Sequence, residues 1–188
     1  MAEAYSDSIP NAARLGIHNA LNNLRTPVIL LNDVLQGNLS RSLMIFMRFV
    51  INSTVGMFGL VDAASEMGME RHIEDFGQTL AVWGVPSGSY LMLPFFGPSN
   101  PRDAAGLVVD FLTDPINIWT SHAEQLETFL GRDGAHAINK RALNLELLNE
   151  IEKSSLDFYA AIRSLYKQRR GNEISNGIVN TLLQTSGL

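Results

Sequence analysis

The chain has 188 residues, with 14 Lys+Arg against 19 Asp+Glu, a net charge of −5, 46% hydrophobic and 18% charged residues. That length suits one domain, its apolar share excludes disorder, and its acidity argues against a nucleic-acid ligand. There is no cysteine, so disulfides, thiolate catalysis and thiolate metal sites are all excluded. The charged share is below the roughly 25% usual for soluble domains, and the charges are unevenly spread. Acids outnumber bases up to Gly131; from Arg132 onward the balance reverses, and all three lysines lie there.

In chain order the pattern is helical. The opening MAEAYSDSIP has no apolar run of the signal-peptide kind, so either the chain is cytosolic or a targeting segment lies outside it. Pro10 precedes Ala13, Ile17, Leu21 and Leu24 at helical spacing. Thr26-Pro27 reads as a cap and first-turn pair that starts a second short helix, Val28 to Gln36, stopped by Gly37. Ser40 opens the next helix, about Arg41 to Ser53. Leu43 to Val61 then carries one charge, Arg48, in 19 residues. It is not read as a membrane span, because Arg48, Asn52-Ser53-Thr54, Gly56 and Gly59 interrupt it. Asp62 caps a short turn of helix ended by Gly68. Asp75 caps a helix from Phe76 to about Gly84.

Phe76 to Pro101 holds no charged residue. Pro86, Pro94, Pro98 and Pro101 with Gly84, Gly88 and Gly97 forbid a long helix. An extended or hairpin-like segment near 84–96 is expected, with Trp83, Tyr90, Leu91, Leu93, Phe95 and Phe96 as apolar anchors fixed by side chains. The stretch is either core and turns or a surface that lies in lipid, and the total absence of charge tips the reading to lipid. Asn100-Pro101 starts a helix to about Leu112, and Asp114-Pro115 starts another to near Gly131. Two amphipathic helices close the chain. One carries Leu143, Leu147, Leu148 and Ile151. The other, opened by Ser154 with Asp157 as a capping box, buries Phe158 or Tyr159, Ile162 and Leu165 or Tyr166 and ends at Lys167 to Gly171. The fold class is therefore mainly α, with no sheet beyond a small hairpin. Residues 1–173 form a single domain and 174–188 a polar, flexible tail.

No catalytic constellation emerges. His18, His72, His122 and His136 are scattered without metal-ligand spacing, so no metal and no cofactor are expected. Ser87-Gly88-Ser89 is a turn without a neighbouring base. Glu66, Glu70 and Glu74 read as a solvated acidic face. Arg48 stands out, because a lone charge on an apolar helix must pair, snorkel or face water. Either it pairs with a buried acid or backbone carbonyls, or it lines a polar path and meets an anionic headgroup. Asn52 lies beside it in sequence.

The ordered motifs resemble one family. Asn52-Ser53-Thr54-Val55-Gly56-Met57-Phe58-Gly59-Leu60-Val61-Asp62 is similar to the NSTxGxxGxxD run of the MlaA (VacJ) outer-membrane lipoproteins. Leu35-Gln36-Gly37 precedes it. Glu74-Asp75-Phe76-Gly77-Gln78-Thr79-Leu80, Trp83-Gly84-Val85, Gly88-Ser89-Tyr90-Leu91, Leu93-Pro94-Phe95-Phe96-Gly97-Pro98-Ser99 and Arg102-Asp103 follow in order. Asp157 and Tyr159, within SSLDFYAAIRSLYKQRR, resemble the family's C-terminal signature.

The resemblance implies a ring of amphipathic helices sunk in the outer membrane on its periplasmic side, around an amphipathic channel. It implies non-enzymatic removal of mislocalised phospholipid from the outer leaflet, delivery to a periplasmic carrier of the MlaC kind, and association with a porin. The alternative is a scaffold that docks the carrier or porin without conducting lipid. The family's signal peptide, lipobox cysteine and DPLEGFNR-like segment have no counterpart here. The chain is read as an N-terminally truncated piece whose exposed apolar faces a homo-oligomer would bury.

Overall fold

The computed structural model describes residues 10–94, 96–119 and 157–175, with 131, 134, 150 and 153–155. Seven helices and one hairpin are described: α1 Asn11–Leu35, α2 Leu39–Thr54, α3 Ala63–Glu66, α4 Phe76–Val82, β1 Leu91–Leu93, β2 Gly97–Ser99, α5 Pro101–Thr113, α6 Pro115–Trp119 and α7 Phe158–Ile174. The mainly α class holds. Leu143, Leu147, Leu148 and Ile151, residues 120–130, Phe95 and the tail beyond Ser175 lie outside the described residues.

Most helix starts follow local chemistry. Asp62 accepts from the Ser65 amide at 3.3 Å, Asp75 from Gln78 at 2.9 Å, and Asn100 from Asp103 at 2.9 Å. Each satisfies an amide that the first helical turn leaves unpaired.

Four expectations about helix ends and faces need correcting. Thr26-Pro27 starts nothing: Pro27 lies inside the single 25-residue helix α1. The ring removes one backbone donor, leaving the Asn23 carbonyl without its helical partner; α1 nevertheless stays continuous through it. The cap of α2 is Asn38, whose side chain accepts from the Arg41 amide at 3.3 Å, and not Ser40. The cap of α7 is Asp157, bonded to the Ala160 amide at 3.0 Å, and not Ser154. Helix α7 also buries none of its residues fully; Phe158, Tyr159 and Leu165 are exposed.

The hairpin forms slightly later than 84–96. Leu91 pairs with Ser99, Met92 with Pro98 and Leu93 with Gly97, antiparallel. The segment is thus held partly by strand pairing, not by side-chain anchoring alone. Helices α4 and α5 cross at glycine. A Cβ on Gly106 would lie 2.3 Å from the Gly77 amide nitrogen, and one on Gly77 would lie 2.7 Å from Asp103 Oδ1. Only glycine at both positions permits that approach.

The usual burial pattern is inverted. Among the described residues, five apolar residues are buried against fifteen polar or charged ones. Asn32, Asp33 and Thr79 are fully buried, while 31 large apolar residues are exposed. Helix α2 shows how the sequence does this. Leu39, Leu43, Phe46 and Val50 recur at helical spacing on the outer face, while Ser42, Ile45, Arg48 and Asn52 recur on the inner one. In water this would place most of the apolar surface on the wrong side. Among the described residues no helix is long and apolar enough to cross a membrane.

Candidate functional site

Among the described residues, two arginine-centred clusters and one polar seam organise much of the interior. The first cluster is built on α2. Arg48, 3% exposed, donates through Nη2 to both oxygens of Asp62, at 2.8 and 2.9 Å. Its Nη1 donates to the Ser65 hydroxyl at 3.2 Å and to the Met69 carbonyl. Asn52 donates to Asp62 Oδ1 at 2.9 Å and accepts from the Ala64 amide at 2.9 Å. Burial pushes the Asp62 carboxyl up, but hydrogen bonds from Ser65 and Asn52 and the Arg48 charge outweigh it, and the net shift is downward. Of the two readings of Arg48, pairing with an acid is the one realised. Both terminal nitrogens of Arg48 are held by protein, and through them it orders the chain from Asp62 to Met69.

Gly56 and Gly59 shape the turn between. Gly59 has φ +90°, and a Cβ there would meet Asn23 Cβ at 2.5 Å, so the turn docks directly on α1. Asn19 donates to the Leu60 carbonyl at 3.3 Å and Asn23 to the Ser53 hydroxyl at 2.9 Å. Met57 and Phe58 take left-handed φ values of 53° and 59° and point apolar side chains outward. That conformation is costly for such residues and is held by the docked turn.

The seam joins α1 to α4 and α5. Asn32 donates to Asp110 Oδ1 at 2.9 Å and accepts from the Thr79 hydroxyl at 2.8 Å. Asp110 also receives the Phe76 amide at 3.0 Å; burial, its largest influence, pushes its pKa up to about 6. Glu74 is buried and lies 3.1 Å from Arg41, with Gln36 donating to it at 2.9 Å. Only Glu66 and Glu70 of the expected acidic face are exposed, so that reading fails at Glu74.

The second cluster closes α7 onto α4 and α5. Arg170 forks onto Asp75, Nη2 to Oδ1 at 2.6 Å and Nη1 to Oδ2 at 2.7 Å, and its Nε lies 2.8 Å from Asp103 Oδ2. Arg102 donates to Asp103 Oδ1 at 2.9 Å, and Asn100 donates to Asp103 Oδ2 at 2.8 Å and to the Tyr166 hydroxyl at 2.7 Å. Burial pushes both acids up, but Arg170 dominates the opposing effects and holds both below their ordinary values. The sequence placed Lys167 to Arg170 as a helix C-terminus facing solvent. Arg170 instead lies a turn inside α7 and turns inward. Its signal was weak: Tyr166 and Arg170, four apart, share a helix face.

The remaining sequence candidates flank these clusters. Trp83, half exposed, packs edge-on to Phe76 at 5.7 Å and donates to the Leu35 carbonyl at 3.3 Å. Gly84, at φ +89°, follows the end of α4. Tyr90 packs edge-on to Tyr159 and Tyr166, at 5.5 and 5.8 Å. Leu91 and Phe96 are exposed, Leu93 is half-buried, Pro94 lies in the hairpin turn and Gly97 begins β2. Exposed apolar side chains of this stretch thus occur from Val82 to Met92 and at Phe96, whereas Gln78 and Thr79 are buried.

Between α1, α2 and the 62–72 segment lies a narrow cleft open to solvent. Asn19, Asn22, Asn23 and Asn52 give it polar walls; Ile29, Ile45 and Phe49 give it apolar ones; Arg48, Asp62, Arg71 and His72 supply charge. Among the described residues no group of His, Asp or Glu is arranged to hold a metal ion. The cleft is amphipathic, with a hydrogen-bonding side and an apolar side.

The chain resembles known proteins both in sequence and in fold. The MlaA lipoprotein family matches residues 1–173. The chain belongs to that family. The intermembrane phospholipid transport system lipoprotein MlaA of Shigella flexneri is 33% identical over 180 residues, covering 94% of this chain and 69% of the relative. The protein of that name in Escherichia coli is 32% identical over the same coverage of this chain. An uncharacterized Rickettsia felis protein is 32% identical over 171 residues, 90% of this chain and 66% of that one. A solved structure from work on the structural basis for maintenance of bacterial outer membrane lipid asymmetry aligns with a TM-score of 0.79 at 32% identity, over 92% of this chain and 85% of that one. The chain spans about two thirds of the length of these curated relatives. The MlaA relatives are named as lipoproteins of a transport system, not as enzymes, which implies a place in the cell envelope.

Proposed function

We propose that this MlaA-family chain takes part in intermembrane phospholipid transport without catalysing any reaction. It sits in the outer membrane on its periplasmic side and gives phospholipid from the outer leaflet a way through to a soluble periplasmic carrier of the MlaC kind. A porin is the proposed neighbour in the membrane, and self-association is the proposed cover for apolar faces that meet neither. The observation that carries this reading is the inverted burial among the described residues: polar residues inside and apolar residues outside, in helices none of which is long and apolar enough to span. A phospholipid leaving a bilayer needs a wet path for its headgroup and an apolar one for its tails. In-plane amphipathic helices around a polar interior supply both.

The test is loading. The chain is placed in proteoliposomes with labelled phospholipid and incubated with the soluble carrier. The proposal expects the carrier to acquire intact phospholipid faster than from protein-free vesicles. A carrier that binds the proteoliposomes but stays empty would support a scaffold instead. A new lipid product on thin-layer chromatography would reveal an enzyme.

A further inference from the structure

With both terminal nitrogens of Arg48 held by protein, a second cation of the cleft is the one placed to meet a ligand. Arg71 lines the cleft, and no described residue accepts a hydrogen bond or an ion pair from it. Its position is nevertheless held on both sides. Two residues before it, the Met69 carbonyl is gripped by Arg48 and the Met69 amide donates to the Ala64 carbonyl at 3.1 Å. One residue after it, His72 Nε2 lies 2.7 Å from Asp33 Oδ2 on α1. The backbone is therefore fixed around a guanidinium that is left open. The one carboxylate in the cleft wall, Asp62, is already occupied by Arg48. Arg48 and Arg25 are close enough to act on Arg71 as like charges. Partial desolvation, joined by these like charges and opposed by Asp62, holds the Arg71 pKa below its ordinary value.

We propose that Arg71 receives a phosphate group in this cleft, and that the group is the diester of a glycerophospholipid headgroup. A guanidinium presents forked donors suited to two phosphate oxygens. Asn19, Asn22 and Asn23 provide neutral hydrogen-bonding partners for the rest of a headgroup, and Ile29, Ile45 and Phe49 an apolar wall for the start of the acyl chains. Arg48 then has a positioning role, since it fixes Met69 and so the segment that carries Arg71. This rests on the proposed transport of phospholipid and adds to it the residue that reads the headgroup.

The test is calorimetric titration of the chain in an uncharged maltoside detergent. Three probes are used: dihexanoyl-phosphatidylglycerol, uncharged dihexanoylglycerol, and inorganic phosphate. Arg71→Gln should bind the phosphatidylglycerol about tenfold more weakly, ~1.4 kcal/mol. Arg71→Lys should fall between the parent and Arg71→Gln, because the charge remains but the forked donor geometry is lost. Dihexanoylglycerol should bind the parent and Arg71→Gln alike. Arg169→Gln, on the exposed side of α7, should change nothing. Equal phosphatidylglycerol affinity in the parent and Arg71→Gln would overturn the headgroup assignment while leaving lipid transport standing. Inorganic phosphate binding as tightly as the lipid would overturn the lipid source in favour of the free anion. No binding of either lipid by the parent would overturn the transport reading and this inference with it. Because Arg71 bonds to no described residue, Arg71→Gln should melt with the parent.

Discussion

The Arg48 and Arg170 clusters use the same chemistry over very different chain distances. Arg48 finds Asp62, Ser65 and Met69 within 21 residues of itself. Arg170 finds Asp75 at a separation of 95 residues and Asp103 on another helix. The first cluster therefore shapes a local turn beside the cleft, while the second fastens the C-terminal helix to the rest. In an interior with few apolar residues, buried ion pairs and amides carry the specificity that side-chain packing carries elsewhere. Losing one partner leaves the other charge stranded, which costs far more than the pair contributes.

The largest expected effect breaks the long-range cluster. Arg170→Met leaves Asp75 and Asp103 without their cation and should cost roughly 3–5 kcal/mol. Denaturant unfolding measures it, and limited proteolysis should show α7 released first. Arg48→Leu should cost less, roughly 2–4 kcal/mol, because Asp62 is more exposed than Asp103 and keeps Ser65 and Asn52. Hydrogen exchange should then rise across 62–72 while α7 stays protected. Equal release of α7 in both variants would merge the clusters into one unit and break the comparison.

The smallest effect concerns pH, where the seam and the α7 cluster have opposite signs. Asp75 and Asp103 have lowered pKa values, so their stabilisation is present above about pH 4 and is lost as the pH falls through their folded values. Asp110 is raised to about 6, so its protonated form is the favoured one. Its contribution declines as the pH rises from about 4 through 6. Asp110→Asn should flatten that decline and stabilise the chain at pH 7 by roughly 1–2 kcal/mol. The acid limb should be unchanged. Melting temperatures across pH 3–8 separate the two limbs.

What the sequence made legible was local. The caps at Asp62, Asp75 and Asn100 need only neighbours within three residues, and Arg48 stood out because an isolated charge in an apolar run demands a partner. Pro27 misled because the rest of α1 holds the helix through it. Helix α7 misled in another way: its apolar residues were assigned to a core by the rule for water, and this chain inverts that rule. Arg170 and Arg71 were hidden for a shared reason. Whether a cation on a polar stretch is fastened or free is decided by which distant acids the fold brings to it.

That inversion can be measured directly. The chain has no cysteine, so single spin labels can be placed without background. Labels at Leu43, Phe46 and Val50 report the outer face of α2, and labels at Asn19 and Asn22 report the cleft wall. In phospholipid vesicles the account predicts that the α2 labels relax faster with oxygen, which concentrates in hydrocarbon, than with a water-soluble nickel chelate. The cleft labels should show the reverse. Preferential nickel access at Leu43, Phe46 and Val50 in vesicles that retain the protein would contradict it.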